Sequence, residues 1–162
     1  MLVRTTAGDT AWMDRDNEVQ RLYTGLTPAS RNPGEPLTRL RKAYLRAAVD
    51  VPGRTRTLRV ATYVQTAPGG QADHTLPRLR QYAERVFEVR REIHDATGPV
   101  APRERNGWLL ACSLLHEGFV DGIVALDQAT VSPDPSLYVE ELQWLGERRF
   151  FLDLLIAETD RP

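Results

Sequence analysis

Arg59-Val60-Ala61-Thr62-Tyr63-Val64-Gln65-Thr66-Ala67 decides how this chain folds. Its β-branched and aromatic residues, free of glycine and proline until Pro68, predict a strand over Leu58–Val64. The segment that follows, Thr66 to His74, holds Pro68, Gly69 and Gly70 and reads as a loop. A helix is predicted next, over Leu76–Glu88, with Leu76, Leu79, Tyr82, Ala83, Val86 and Phe87 on its buried face. A strand that passes through a loop into an amphipathic helix is the opening unit of an α/β domain.

The same unit recurs downstream. Val89–Ile93 is a second strand, charged heavily enough to belong near a sheet edge. Residues 95–105 form a loop containing Gly98, Pro99 and Pro102. The helix predicted over Asn106–His116 turns Trp108, Leu109, Cys112, Leu114 and Leu115 inward and closes near Gly118. Val120–Leu126 is a third strand whose apolar run suits a parallel sheet covered on both faces. A loop with Pro133 and Pro135 leads to a helix from Ser136 to about Arg148, and Phe150–Ile156 is the fourth strand. Trp108 and Trp144 are both expected on buried helical faces. Helical crossovers between strands are right-handed, so the expected class is α/β, with three layers and a mostly parallel sheet flanked by helices.

Upstream of that domain, a short helix is expected over Asp14–Tyr23, ended by Gly25, while Trp12 has no assigned place. Thr27 to Pro36 is loop, with three prolines. Pro36 then opens a helix with Leu37, Leu40, Tyr44, Ala47 and Ala48 in one apolar stripe and Arg39, Lys42 and Arg46 on another face. Val51-Pro52-Gly53 stops it, because a proline disfavours helical backbone at the residue before it. Residues 1–56 therefore read as an N-terminal helical, basic extension and 57–162 as the α/β domain.

With 162 residues and 41% hydrophobic side chains, the chain can fill the core of one domain. Its formal net charge of -1 argues against a protein that coats nucleic acid. The charge is nevertheless divided: residues 1–60 carry 11 Lys and Arg against 6 Asp and Glu, and residues 61–162 carry 10 against 16. The basic half either meets a polyanion through Arg39, Arg41, Lys42, Arg46, Arg54 and Arg56, or folds back on the acidic half. The lone Cys112 has no disulfide partner and reads as a core thiol. No apolar run reaches membrane-spanning length and the N-terminus lacks a signal-peptide hydrophobic region, so no membrane partner and a cytoplasmic location are expected.

The order of motifs resembles the catalytic domain of the serine recombinases, the resolvase/invertase family. The family's first strand runs into Tyr-x-Arg-x-Ser, and here the piece is Tyr63-Val64-Gln65-Thr66-Ala67. After its second strand the family has an acidic residue, a Gly/Ser-rich loop and Arg-x-Gly before an apolar helix. This chain has Asp95-Ala96-Thr97-Gly98 and then Arg105-Asn106-Gly107-Trp108. The family's Gly-x-Val-Asp and Leu-Asp-Arg-x-x-Arg correspond to Gly118-Phe119-Val120-Asp121 and Leu126-Asp127-Gln128-Ala129-Thr130-Val131, and Asp134-Pro135 precedes the last helix as in the pattern. The resemblance covers about residues 57–158 and implies a resolvase-like sheet. Flavodoxin-like and other nucleotide-binding folds share the same alternation of elements.

Family members cut DNA through a serine oxygen that attacks phosphorus, with arginines stabilising the charge that develops on the phosphoryl oxygens. By the resemblance, Ala67 stands at the serine position, Gln65 at an arginine position of the same strand, and Gln128 and Val131 at two more arginine positions. Arg105 and Asp127 are what remains of the set. Thr66 offers a hydroxyl one residue away, but on the opposite face of a regular strand. The resemblance thus implies a non-catalytic domain acting in protein interaction or regulation, with self-association in view because family catalytic domains pair. The chain also ends soon after the fourth strand, where a recombinase is expected to continue into an oligomerisation helix and a DNA-binding module.

Other chemistry finds less footing. His74, His94 and His116 are dispersed, so no metal site is expected of them. Asp95, Asp121 and Asp127 near strand ends are compatible with magnesium, but helix capping and ordinary solvated carboxylates account for them more simply. Thr66–Gly70 matches neither the dinucleotide fingerprint nor the P-loop, so no cofactor is expected. Two alternatives stay open: electrostatic nucleic-acid binding through the basic 31–59 segment, and a small-molecule enzyme at the C-terminal edge of the sheet.

Overall fold

The computed structural model describes residues 32–160, so the helix expected over Asp14–Tyr23 and the indole of Trp12 lie outside the described residues. The segment Arg59–Gln65 (β1) is central and buried on both faces through its middle five residues. Glu88–Asp95 (β2) pairs with it on one side and Gly122–Ala125 (β3) on the other, while Phe151–Leu154 (β4) pairs with β3. Every one of these pairings is parallel, and the order is β2-β1-β3-β4. The crossovers contain Thr75–Ala83 (α2), Asn106–His116 (α3) and, between β3 and β4, both Gln128–Val131 (α4) and Pro135–Glu147 (α5); Glu35–Val49 (α1) precedes the sheet.

Alternation along the strands builds the three layers, because successive side chains point to opposite faces. Ala61, Tyr63, Ile123, Ala125, Leu152 and Leu154 share one core with Trp108 and Leu115 of α3 and Tyr138, Leu142 and Leu145 of α5. Val60, Val64, Val124 and Phe151 share the other with Leu79 and Ala83 of α2 and Ala48 of α1. Each fully buried Leu or Val side chain contributes about 1.5–3 kcal/mol. The charged strand β2 is an edge strand, as its composition predicts. Its register shifts between Val60 and Ala61, where β1 steps from Val89 to Arg91, and a bulged, charged edge resists pairing with another chain.

The other edge is covered. Helix α1 packs on β4, α5 and the 3-10 turn Glu158–Asp160, with Leu37 in one core and Ala48 in the other. Gly146 on α5 makes this approach feasible, since a Cβ there would collide with the Tyr44 ring.

Several local expectations are corrected. The inward stripe of α1 contains Arg41, 3% exposed, whereas Ala47 faces solvent. Helix α2 stops at Ala83, earlier than expected, and the turn that follows leaves Val86 68% exposed while Phe87 is buried. On α3, Leu109 is exposed, because Trp108, Ala111, Cys112 and Leu115 already occupy the inward arc. Trp144 is only half-buried and lies between the guanidinium groups of Arg103 and Arg148, 4.7 and 4.4 Å from its ring centre. No described helix is long and apolar enough to cross a membrane.

Candidate functional site

In a parallel sheet the loops after the strands gather at one edge, here Thr66–Gly70, Ala96–Gly98 and Leu126–Val131. Asp95, the last residue of β2, organises the centre of that edge. Its Oδ1 accepts the Gly107 amide at 2.8 Å, and its Oδ2 accepts the Trp108 amide at 3.0 Å and the Tyr63 hydroxyl at 2.6 Å. The carboxylate therefore supplies the anion that the N-terminus of α3 favours. Gly107 is required by close approach: a Cβ would lie 2.6 Å from the Asp95 carboxylate. Burial, followed by the hydrogen bond to Asp95, pushes the Tyr63 phenol well above its usual value, against the opposing pull of Arg105. Tyr63 thus stays neutral and donates.

Arg105 is buried in the interior, at 1% exposure. Its Nε donates to Val100 O at 2.9 Å, and its Nη1 donates to Thr130 O at 2.7 Å and approaches the Tyr63 hydroxyl at 3.5 Å. This guanidinium ties the loop before α3 to α4. Asp127 caps α4, its Oδ1 accepting Thr130 N and Thr130 Oγ1, both at 2.9 Å. Gln128 is buried and Val131 is fully buried in the α3–α5 core, in a short helix where the sequence reads as loop. Gln65 donates its amide to Gly98 O and, at 2.9 Å, to Thr66 O, joining the loops after β1 and β2. Ala67 is exposed.

One contact at this edge carries no signal in the spacing of the sequence. Thr66 Oγ1 lies 2.8 Å from His94 Nε2, on the solvent side of β2. The hydroxyl is paired with an imidazole, and the Arg105 guanidinium is turned to Val100, Thr130 and Tyr63 instead. Of the three aspartates at strand ends, Asp95 and Asp127 are helix caps. Asp121 lies before β3, at the opposite end of the sheet, where it binds Arg56 through both oxygens and accepts the Arg59 amide. Among the described residues no group of three His, Cys, Asp or Glu converges to hold a metal ion. Cys112 is buried, and that burial pushes its thiol up to about 11.

The described basic residues of the 31–59 segment are dispersed by the fold. Arg41 is buried against Glu158 and Asp153, so it is not presented to a polyanion. Arg54 donates to Ala48 O at 2.8 Å, and Arg56 is taken by Asp121. Arg39, Lys42 and Arg46 remain exposed on α1, with Arg39 3.6 Å from Glu35.

The order β2-β1-β3-β4 with helices on both faces is a three-layer, resolvase-like α/β fold. The chain superposes on the N-terminal catalytic domain of TP901-1 integrase with a TM-score of 0.50 at 20% identity, covering 60% of this chain and 76% of that one. The C-terminal catalytic domain of ISC1926 TnpA, an IS607-like serine recombinase, gives 0.49 at 16% identity over 64% and 74%. A serine recombinase from Sulfolobus solfataricus gives 0.45 at 17% identity over 59% and 68%. No protein-family model and no curated protein matches the chain.

Proposed function

We propose that this chain is a recombinase-fold domain without strand-transfer chemistry, acting in protein interaction or regulation. The commitment of Arg105 carries the reading: it is the one arginine retained at a family position, and its guanidinium is spent on Val100 O, Thr130 O and Tyr63 inside the protein. The residue aligned with the attacking serine is Ala67, whose methyl group has no lone pair to offer phosphorus. Gln65, Gln128 and Val131, at the family's arginine positions by the resemblance, carry no positive charge. Loss of a single oxyanion-stabilising donor already costs on the order of 100-fold or more in rate, about 3 kcal/mol.

The interaction role rests on apolar surface that the fold leaves uncovered. Leu109 and Leu110 on α3 are 39% and 36% exposed, and Phe119 in the turn after it is 58% exposed. Covering such side chains with a partner removes apolar area from water, which favours association. The test joins two measurements on the full chain: incubation with duplex DNA followed by denaturing electrophoresis, and light scattering across a concentration series for the wild type and Phe119→Ser. The reading expects no covalent protein–DNA adduct, with association that weakens in the variant. An adduct overturns the loss of chemistry, and a monomer that captures no protein overturns the interaction role.

A further inference from the structure

A cavity of about 460 Å3 opens on the α2 side of the sheet, far from the edge where the strands end. Leu45 and Val49, one turn apart on α1, form one wall; Leu58 ahead of β1 and Val86 and Phe87 after α2 form the other. The size falls within the range of small-ligand sites, about 300–1,000 Å3. Val49 and Val86 are left 43% and 68% exposed, so the apolar lining continues to the surface.

The charges around it are unequal. Arg56 gives both Nη atoms to Asp121, at 2.7 and 2.8 Å. Asp153 is answered from within, its Oδ1 by Arg41 at 3.2 Å and its Oδ2 by the Tyr82 hydroxyl at 3.0 Å. Arg54 differs. Its Nη1 donates to Ala48 O at 2.8 Å, which closes the end of α1 and fixes the side chain, but no carboxylate among the described residues pairs with it. The lining therefore combines hydrocarbon with one guanidinium, Arg54, that has no carboxylate partner among the described residues.

We infer that this cavity binds a small amphipathic monocarboxylate, its hydrocarbon body against Leu45, Leu58 and Phe87 and its carboxylate on Arg54. One unpaired guanidinium suits one carboxylate, and a charge-assisted hydrogen bond of this kind is stronger than a neutral one. The site is separate from the edge that holds Asp95 and Arg105, so it stands whether or not strand transfer is lost.

Octanoate and octanol, each below its aggregation concentration, test this by NMR titration of the full chain. Octanoate is expected to saturate one site, shifting Leu45, Val49 and Phe87 resonances, with an affinity about tenfold above that of octanol. Arg54→Gln keeps an amide donor for Ala48 O and is expected to erase that preference while octanol binding persists; its unfolding curve checks that the variant is folded. Shifts that do not saturate, shifts that map elsewhere, equal affinities in the wild type, or a preference that survives Arg54→Gln each overturn the inference.

Discussion

Arg41 Nε lies 2.6 Å from Glu158 Oε1, joining the first described helix to the last described turn across 117 residues of chain. Glu158 also accepts Thr38 Oγ1 and Tyr138 Oη, both at 2.6 Å, so its buried carboxylate is surrounded by donors from α1 and α5. The pair fastens α1 over the edge of β4, and Arg41 reaches Asp153 on that strand at 3.2 Å.

Glu158→Ala leaves the Arg41 guanidinium buried without its main partner. Removing one member of a buried ion pair costs about 3–5 kcal/mol, and that loss is expected in urea unfolding at neutral pH. Arg39→Ala, at an exposed pair with Glu35, is the control and is expected to change stability by less than about 1 kcal/mol.

Acid should remove the same support gradually. Burial pushes the Glu158 carboxyl up, but the hydrogen bonds from Arg41, Thr38 and Tyr138 outweigh it and hold it below its ordinary value. Asp121 behaves alike: burial opposes, Arg56 and the Arg59 amide prevail, and the carboxyl is held down at about 2. A depressed acid contributes stability that is complete above its unfolded value, about 4, and is lost as pH falls through the folded one. Asp121→Asn is therefore expected to be less stable than the wild type at pH 6, with the gap closing between about pH 4 and pH 2. Urea midpoints measured across that window check the sign.

Gly107→Ala forces a methyl group to 2.6 Å from the Asp95 carboxylate. Relief requires Asp95 to withdraw from the amides of Gly107 and Trp108, so the expected cost is about 1–3 kcal/mol, from overpacking and lost helix capping together. Thermal unfolding gives the loss. A fully stable variant would show that α3 does not depend on this carboxylate.

Ala67→Ser places a hydroxyl at the exposed position and is expected to yield no covalent adduct with DNA, because Arg105 remains turned to Val100 and Thr130. Val131→Arg is expected to unfold the domain, since this side chain is fully buried in the α3–α5 core and offers no route to water for a cation. Circular dichroism and a denaturing gel read the two outcomes.

Much of the architecture is written in short-range pattern. The apolar run of β3, the charged composition of β2 and the bounds of α3 at Asn106 and His116 are all legible from neighbours a few residues apart. Arg105 and Asp127 also stand out in the sequence, and the capping role of Asp95 and Asp127 is open to the same reading. Periodicity misplaced Leu109 and Val86 because it marks apolar residues without saying which of two adjacent arcs meets the sheet.

Local sequence therefore determined the elements and their order along the chain, since helix and strand formation depends on nearby side chains and backbone preferences. Tertiary structure alone decided that Arg41 is an interior ion and not a surface cation, that Arg105 serves Thr130 and Val100, and that Thr66 meets His94. Each of these side chains finds its partner on a different element. Strand order and helix docking bring such pairs within hydrogen-bond reach, and no local periodicity records them.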